Sequence, residues 1–372
     1  MAKKSTSLPL RAGIIGCGNI SNAYFQHLKP FTDYVTITAC ADLDVDRARA
    51  KAAEHGVGKS GSVQEILDDP EIDIVLNLTI PGVHAAVNQQ VLKAGKHVYC
   101  EKPFSLSYAE GLKTVKQAEA RKLRLGCAPD TVLGGGIQTC RKLIDDGAIG
   151  KPIAAMANML SSGPESWHPN PEFYYQPGGG PLFDMGPYYL TSLVTMLGPV
   201  KNVRAFAATT YKERLIGSQP FFGKKIKVKT PTHLSGVLEF AKGAVATVTM
   251  SFDICAHHAP MLEVYGTEGA IHCPDPNNFD GEVLLWTKAK KEWTPVPLTH
   301  QDKTGRGIGL ADMAAGIAQR RPHRASGELG LHVVEVMEAF HRSSDTSRAI
   351  TIKSKCRQPA ALPAGLALGK LD

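Results

Sequence analysis

The sequence predicts an α/β protein, in which a doubly wound parallel sheet is followed by an α+β domain with an open, largely antiparallel sheet. Three observations support this prediction. Near the N-terminus, an apolar segment runs directly into a glycine turn (RAGIIGCGNIS, residues 11–21). Strand-like apolar segments then alternate with helix-like segments as far as residue 130, which is typical of parallel sheets. From residue 203 to residue 284, short strand-like segments follow one another without long helical patterns, which indicates an antiparallel or mixed sheet.

The first element is a buried strand at residues 12–15, followed by the turn Gly16-x-Gly18-x-x-Ser21 and a helix at about residues 19–28. Strand, glycine turn and helix in this order are typical of a Rossmann dinucleotide-binding domain. Gly16 would permit the tight turn, Gly18 would let the backbone approach a pyrophosphate, and the helix N-terminus would attract that anion. Ser21 replaces the third glycine but is still small. The alternative is a glycine-rich turn that binds no ligand.

The other strands of the parallel sheet follow with helices between them. We predict them at residues 35–41, 72–78, 95–100 and 123–128. Ligands of such sheets bind beyond the C-terminal ends of the strands. That rule places the following residues on one rim: Gly16, Asp42, Thr79, Glu101, Lys102, Pro129 and Asp130.

Asp42 ends the second predicted strand, where an acidic residue can accept hydrogen bonds from a ribose diol. Its charge would repel a 2′-phosphate, so the sequence favours NAD over NADP, although Arg47 could soften that preference. Asp42 could instead cap the helix that begins near Asp44. Both roles are compatible if Asp44 is the capping residue.

After residue 130 the alternation stops, and we predict a dinucleotide-binding domain at 1–130 and a substrate-binding and oligomerisation domain at 131–372. Helices are predicted at residues 134–146, 311–317 and 328–341, with a further helix that follows GGGP at 178–181 and ends near residue 197. A loop rich in polar and aromatic residues spans 165–175. Alternating lysines from Lys224 to Lys229 suggest a charged edge strand that resists aggregation, rather than a nucleic-acid surface.

The bulk properties are those of a soluble globular protein, with 43% hydrophobic residues, 21% charged residues and a net charge of +7. This modest basic excess suits an anionic cofactor, and we predict no nucleic-acid partner. No apolar segment approaches the ~20 residues of a membrane span, so we predict no membrane association. Residues 1–10 lack the apolar core of a secretory signal and are predicted to be a disordered lead-in. With no C-x-x-C pair among eight cysteines, we predict reduced thiols and a cytoplasmic location. The spacing of the thirteen histidines predicts no metal site.

Three motifs together resemble the Gfo/Idh/MocA oxidoreductase family: GCGNI at residues 16–20, EKP at 101–103 and GGGPLFDMGPY at 178–188. The resemblance extends over roughly residues 11–342. It implies NAD(P)-dependent oxidation or reduction of sugars, cyclitols and related polyols. It also implies that the C-terminal sheet forms the interface of a homo-oligomer, either a dimer or a tetramer.

The resemblance further implies roles for three residues. Lys102, in a segment where the family's proline can be cis, would lie between the nicotinamide and the substrate hydroxyl and stabilise a developing alkoxide. Tyr188 stands where many members, inositol dehydrogenase among them, have histidine. A phenol with a pKa of about 10 would need the nearby cation of Lys102 to act as a base, but could act directly as an acid. Asp184, one helical turn earlier, would accept a substrate hydroxyl. The alternatives are a surface lysine, a helix-capping aspartate and a packed tyrosine.

His168 is a rival acid or base, because its unperturbed pKa is about 6.5. It lies in the loop Trp167-His168-Pro169-Asn170, just before the helix of Asp184. Aromatic and amide groups in this loop suit stacking and hydrogen bonding to a sugar ring. The alternative is an ordered loop with a satisfied histidine.

We therefore expect an NAD-dependent dehydrogenase that oxidises a ring hydroxyl of a sugar, cyclitol or glycoside held between the two domains, with a 3-keto glycoside as the preferred product. The alternatives are an NAD-dependent glycoside hydrolase with a transient redox cycle, and a regulator that senses the dinucleotide without catalysis. The expected cofactor contacts are Gly16, Gly18, Asn19, Ile20, Asp42, Arg47, Thr79, Pro81, His84, Glu101 and Lys102. The expected catalytic residues are Lys102, Tyr188, Asp184 and His168, and the substrate contacts are these four with Asp130, Trp167 and Arg306.

Overall fold

The computed structural model describes residues 7–372. Residues 1–6 of the disordered lead-in predicted at 1–10 lie outside them, and Leu10, at the end of that predicted segment, already begins a strand. Within the described chain, the helices are α1 (Ser21–His27), α2 (Val45–His55), α3 (Val63–Asp68), α4 (His84–Lys93), α5 (Tyr108–Arg121), α6 (Gly135–Asp145), α7 (Gly180–Leu197), α8 (Ile308–Ala318) and α9 (Gly327–Thr346). The helices predicted after residue 130 are confirmed, with small differences at their ends. No helix in this range is long and apolar enough to cross a membrane.

The strands divide into an N-terminal and a C-terminal group. The first group is β1 (Leu10–Ile15), β2 (Val35–Ala41), β3 (Lys59–Gly61), β4 (Ile74–Asn77), β5 (His97–Cys100) and β6 (Leu125–Cys127). The second group is β7 (Pro152–Leu160), β8 (Val200–Ala208), β9 (Glu213–Leu215), β10 (Lys225–Lys227), β11 (His233–Phe240), β12 (Val245–Ser251), β13 (Leu262–Gly266), β14 (Gly269–Cys273), β15 (Val283–Thr287), β16 (Trp293–Val296) and β17 (Ile350–Thr351).

The chain groups into two compact units. The N-terminal unit contains the chain up to Gln138 together with Leu298–Val334 and Pro359–Asp372. The C-terminal unit contains Thr139–Pro297 and Glu335–Gln358. The sequence predicted a single boundary at residue 130 and did not indicate that Leu298–Val334 and Pro359–Asp372 return to the N-terminal unit.

The N-terminal unit is built on a six-stranded sheet with the order β3-β2-β1-β4-β5-β6. All neighbouring strands pair in parallel, and this order is that of a Rossmann domain. The predicted parallel sheet is therefore confirmed. Strand β3 was not predicted, because its three residues include an exposed lysine and an exposed serine and so lack an apolar pattern. The sheet brings the C-terminal ends of β1, β2, β4 and β5 to one edge.

The C-terminal unit is built on a nine-stranded sheet with the order β16-β15-β14-β13-β7-β12-β11-β8-β17. Only the β7–β12 pair within this sheet is parallel, which confirms the predicted, largely antiparallel sheet. Helix α7 packs against β7, β11 and β12. Helix α7 is buried nearly all round, and only Asp184 and Met185 along it are partly exposed, which is typical of a helix within a core.

A separate two-stranded antiparallel sheet is formed by β9 and β10. Lys225 and Lys227 point outward from β10 on either side of the buried Ile226. Lys225 lies 3.0 Å from the carboxylate of Glu213 on β9. The strand predicted from the alternating lysines is therefore confirmed.

Candidate functional site

The glycine turn after β1 is built for close backbone contact. Gly16 has a φ of +102°, and a Cβ there would lie 2.7 Å from the carbonyl group of Leu78, so only glycine fits. Gly18 differs, because a Cβ there would meet nothing within 4 Å. Ser21 is buried, and its hydroxyl donates to the carbonyl of Gly18 (2.7 Å). The turn is thus closely packed against Leu78 at Gly16 and open at Gly18, and this open side fits a dinucleotide pyrophosphate. Asn19 is exposed and Ile20 is half-buried on this turn.

Asp42 at the end of β2 is joined to the glycine turn. Its Oδ2 accepts the N–H of Cys17 (2.8 Å), and its Oδ1 accepts the N–H of Asp44 (3.0 Å). Arg47 Nη1 lies 3.4 Å from Oδ1. The side chain of Asp44 accepts the N–H of Arg47 and caps α2, which confirms the predicted capping residue. Asp42 therefore presents a nearly buried carboxylate at the edge where a ribose would lie.

The turn after β4 does not place His84 where we expected it. His84 is 1% exposed, with Nε2 2.8 Å from the carbonyl oxygen of Thr79 and Nδ1 2.7 Å from the carbonyl oxygen of Pro103. Both ring nitrogens are therefore used within the protein, which leaves neither of them for the cofactor contact expected from the sequence. Thr79 and the exposed Pro81 remain at the edge of the sheet.

Glu101 anchors the EKP segment after β5. Its Oε1 accepts the hydroxyl of Tyr24 (2.9 Å), and its Oε2 accepts the N–H of Lys102 (2.8 Å). Arg306 Nη1 lies 3.6 Å from Oε1. Because Glu101 is 6% exposed, these donors offset the cost of burying its charge. The Lys102–Pro103 peptide is cis, as the family resemblance implied. Lys102 is half-buried beside this anchored carboxylate.

Asp130, which was expected to bind substrate, instead holds the start of α8. It is fully buried, and its Oδ2 accepts the N–H groups of Gly307 (2.7 Å) and Gly309 (3.0 Å). Burial raises the pKa of Asp130 to about 6, against the opposing effect of these two N–H groups and of Arg306. Arg306 immediately precedes the anchored glycine, so Asp130 positions the residue that lies beside Glu101.

In the C-terminal unit, Asp184 and Tyr188 lie one turn apart on α7 and so share a face of the helix. Asp184 is half-buried, and Tyr188 is 3% exposed. The preceding glycines let the helix begin close to other backbone segments. A Cβ on Gly179 would lie 2.6 Å from the carbonyl oxygen of Phe173, and one on Gly180 would lie 2.9 Å from that of Pro231.

The aromatic loop before α7 surrounds His168. The ring of His168 makes edge contacts with Trp167, Phe173 and Tyr174, at centroid distances of 5.5, 5.5 and 5.2 Å. Its Nδ1 accepts the N–H of Asn170 (3.0 Å). Trp167 is 67% exposed and Phe173 is 49% exposed. The loop therefore presents flat apolar surfaces to solvent.

Two further residues, which were not among those expected from the sequence, support the site. Tyr24 donates to Glu101 over 77 positions of sequence, a separation that no local pattern reveals. Asn77 is fully buried at the end of β4 and bonds Thr79 and Asn88. A polar residue within the apolar segment IVLNL (residues 74–78) was the available signal for Asn77. Among residues 7–372, no group of three or more histidine, cysteine, aspartate or glutamate side chains could hold a metal ion.

Two family models match this chain. Residues 10–128 match the family model described as "Oxidoreductase family, NAD-binding Rossmann fold", and residues 137–272 match the "GFO/IDH/MocA C-terminal domain". Myo-inositol 2-dehydrogenase of Thermotoga maritima is 27% identical over 70% of this chain and 74% of its own.

Two solved structures illustrate the shared fold. An NAD-binding oxidoreductase from Klebsiella pneumoniae superposes with a TM-score of 0.82 at 22% identity, over 93% of this chain and 100% of its own. Levoglucosan dehydrogenase, in complex with NADH and levoglucosan, gives 0.78 at 21% identity, over 92% and 99%. With both family models matched over most of its length, the chain belongs to the Gfo/Idh/MocA family of NAD-binding oxidoreductases.

Proposed function

We propose that this chain is an NAD-dependent dehydrogenase that oxidises a ring hydroxyl of a sugar, cyclitol or glycoside. The observation that carries the proposal is the anchoring of the backbone at Lys102. Lys102 follows the buried carboxylate of Glu101, which accepts hydrogen bonds from the hydroxyl of Tyr24 and from the N–H of Lys102. Relatives named as dehydrogenases of myo-inositol and levoglucosan favour a cyclic polyol as substrate.

The glycine turn and the end of β2 support NAD as the cofactor. We assign the pyrophosphate to Gly16, Gly18, Asn19 and Ile20, because the outer side of Gly18 is open. We assign the adenosine ribose to Asp42, whose negative charge disfavours a 2′-phosphate. Arg47 lies beside this carboxylate and makes some use of NADP possible. When bound, NAD supplies the hydride acceptor.

Three side chains carry the remaining chemistry in this proposal. Lys102 keeps a positive charge beside the reacting oxygen and stabilises the alkoxide that forms as its proton leaves. Tyr188 takes that proton during oxidation and returns it during reduction. Asp184 accepts a hydrogen bond from a second hydroxyl of the substrate and orients the ring.

The position of His168 favours Tyr188 as the acid or base. Because Nδ1 of His168 accepts a backbone N–H, the neutral ring carries its proton on Nε2. A ring in that state can donate from Nε2 but cannot accept a proton there. We therefore assign His168 to substrate binding.

The exposed rings of Trp167 and Phe173 support a substrate larger than a bare polyol. Aromatic faces stack on apolar faces of other rings, and both side chains lie in the loop that leads into α7. A glycoside could therefore place its second ring against Trp167, while the oxidised ring lies at Asp184. We propose oxidation at a ring hydroxyl of such a glycoside to a keto product.

We also propose a homo-oligomer formed through the open face of the nine-stranded sheet. Met156, Phe206, Val237 and Val245 are each between 37% and 65% exposed. The pairing register places them on one face of β7, β8, β11 and β12. Exposed apolar side chains grouped in this way mark contact surfaces more often than isolated ones do.

The test of the proposed activity is a spectrophotometric assay of the purified protein with NAD and a panel of monosaccharides, inositols and glycosides. We expect reduced nicotinamide to accumulate with at least one ring compound. Cleavage of a glycoside without net NADH would instead identify a hydrolase. Bound NAD without turnover of any compound would favour the regulator.

A further inference from the structure

We propose that His84 is a positioning residue, which as a doubly protonated imidazolium ties the Lys102–Pro103 segment to the turn after β4. The inference rests on the proposed role of Lys102 in the reaction. It assigns His84 a function that differs from the cofactor contact expected from the sequence.

The geometry requires two donors on the ring. A carbonyl oxygen can only accept a hydrogen bond, and the ring nitrogens of His84 face two of them, at 2.7 Å on Pro103 and 2.8 Å on Thr79. A neutral imidazole has one N–H, so one contact would bring two lone pairs together. Only the imidazolium donates on both sides, and it therefore satisfies both carbonyl groups.

The surroundings of the ring support the charge. Burial by itself lowers the pKa of His84, but the sulfur of Cys100 on β5 and the two carbonyl groups more than offset it and raise the pKa to about 9. Cys100 is the titratable side chain that acts on the ring within the described residues. The amide of Asn77 on β4 donates to the backbone carbonyl group of His84 and to the side chain of Asn88 on α4, and neither amide carries a charge.

Hydrogen bonds hold the backbone on both sides of Lys102. Its own N–H is held by Glu101 (2.8 Å), and the carbonyl group of the next residue, Pro103, is held by His84 (2.7 Å). The backbone at Lys102 is therefore anchored in both directions. The other end of the His84 bridge is Thr79, which Asn77 holds through its hydroxyl (2.6 Å). The side chain of His84 thus joins the segment after β4 to the segment after β5.

The direct test is an NMR titration of the histidine rings in the intact wild-type protein, which needs no substrate. We expect His84 to keep protons on both ring nitrogens at pH 7.5 and to lose one only near pH 9. His323 is the matched comparison, because it is also buried but faces a single carbonyl group (Leu125, 3.1 Å), and burial lowers its pKa to about 4. A singly protonated His84 at pH 7.5 would overturn the proposal.

A second test separates positioning from general stability. In His84→Gln we expect kcat to fall roughly tenfold or more while the KM for NAD changes little, because misplacement of a reacting group acts on turnover. His323→Gln should leave kcat within about twofold of the wild type. Equal kcat values for the wild type and a folded His84→Gln variant would contradict the positioning role. If no substrate is found at all, the proposed function fails, while the titration still decides the charge of His84.

Discussion

Cofactor choice is decided at a single residue, Asp42, in the proposed enzyme. Its carboxylate is nearly buried and accepts backbone N–H groups from both sides, so its position is well defined. Arg47 is the nearest cation and also pairs with Asp44 (3.3 Å), so it would stay close to the ribose position and could meet a 2′-phosphate if Asp42 were removed.

We therefore predict that Asp42→Ser shifts preference from NAD toward NADP by at least about tenfold, equivalent to ~1.4 kcal/mol. The measurement is kcat/KM with each cofactor. Asp44→Ser is the matched control, because it removes a neighbouring carboxylate while serine still caps α2. An unchanged ratio in Asp42→Ser, or an equal shift in the control, would contradict the assignment of the ribose to Asp42.

Asp130 is a second residue whose burial has a measurable consequence. Burial raises the pKa of Asp130 to about 6, whereas the carboxyl titrates near ~4 in the unfolded chain. Between these values the folded state holds the proton and the unfolded state does not. The stability contributed by this residue is therefore present below about pH 4 and is lost as the pH rises to about 6.

We predict that Asp130→Asn flattens this part of the stability profile, by on the order of 3 kcal/mol across the window. The measurement is the free energy of unfolding by denaturant at pH 4, 5, 6 and 7. Asp46→Asn serves as the control, because the side chain of Asp46 is 88% exposed. If the two variants give the same profile, Asp130 does not hold its proton as described.

For single residues, the sequence predicted a role correctly where that role is set by neighbouring residues in the chain. Gly16 was predictable, because a strand followed by a tight turn requires it. Asp130 was predicted to lie on the ligand-facing rim and His84 to contact the cofactor, but the roles of both depend on partners outside their own segments. The partners of Asp130 lie 177 and 179 positions away, and sequence patterns carry no such information.

Among the elements, the glycine turn after β1 contains one glycine that the fold requires and one that the proposed NAD binding requires. Gly16 has a positive φ, and an added Cβ would lie against the backbone of Leu78, whereas Gly18 faces open space. We predict that Gly16→Ala lowers stability by about 1–3 kcal/mol. Gly18→Ala should keep wild-type stability within about 0.5 kcal/mol but weaken NAD binding, because its methyl group occupies the space proposed for the pyrophosphate.

Thermal unfolding and NAD titration calorimetry of both variants check this pair of expectations. Gly58→Ala is the control, because its Cβ would also meet nothing within 4 Å and it lies before β3, away from the C-terminal ends of the strands. Normal NAD affinity in Gly18→Ala would show that the pyrophosphate lies elsewhere.

Helices were predicted where amphipathic or apolar patterns are long, as in α7 and α9, although α9 ends at Thr346 rather than at residue 341. Strand β3 was missed, because three residues with an exposed lysine and serine give no periodic signal. Its place in the sheet is set by pairing with β2, which is a property of the assembled domain.

For the whole molecule, the sequence indicated two domains but not the return of its later segments. The buried Gln138 accepts the N–H of Leu362 (2.8 Å), and His300 faces the carbonyl oxygen of the same residue (2.9 Å). Arg324, which the buried Asp312 holds (2.6 Å), pairs with Asp372 in the last segment (2.8 Å). These bonds tie the last segment to the N-terminal unit, and neither composition nor periodicity predicts them.

The proposed oligomer is also a property of the whole molecule. We predict that the double variant Met156→Lys and Val237→Lys shifts the protein to a smaller assembly in light scattering coupled to gel filtration. Charges on the apolar face would remain unpaired if a second copy covered them. Leu368→Lys, which alters a 45% exposed apolar side chain in the N-terminal unit, should change nothing. An unchanged mass for the double variant would mean that the sheet face is not the interface.

The most direct test of the proposed enzyme is the turnover of Lys102→Ala and Tyr188→Phe with NAD and the best substrate from the panel, in preparations whose folding matches the wild type by circular dichroism. Each variant lacks one of the groups assigned to alkoxide stabilisation and proton transfer. We predict that each loses at least about 100-fold in kcat. Wild-type turnover in both variants would show that the chemistry does not depend on Lys102 and Tyr188.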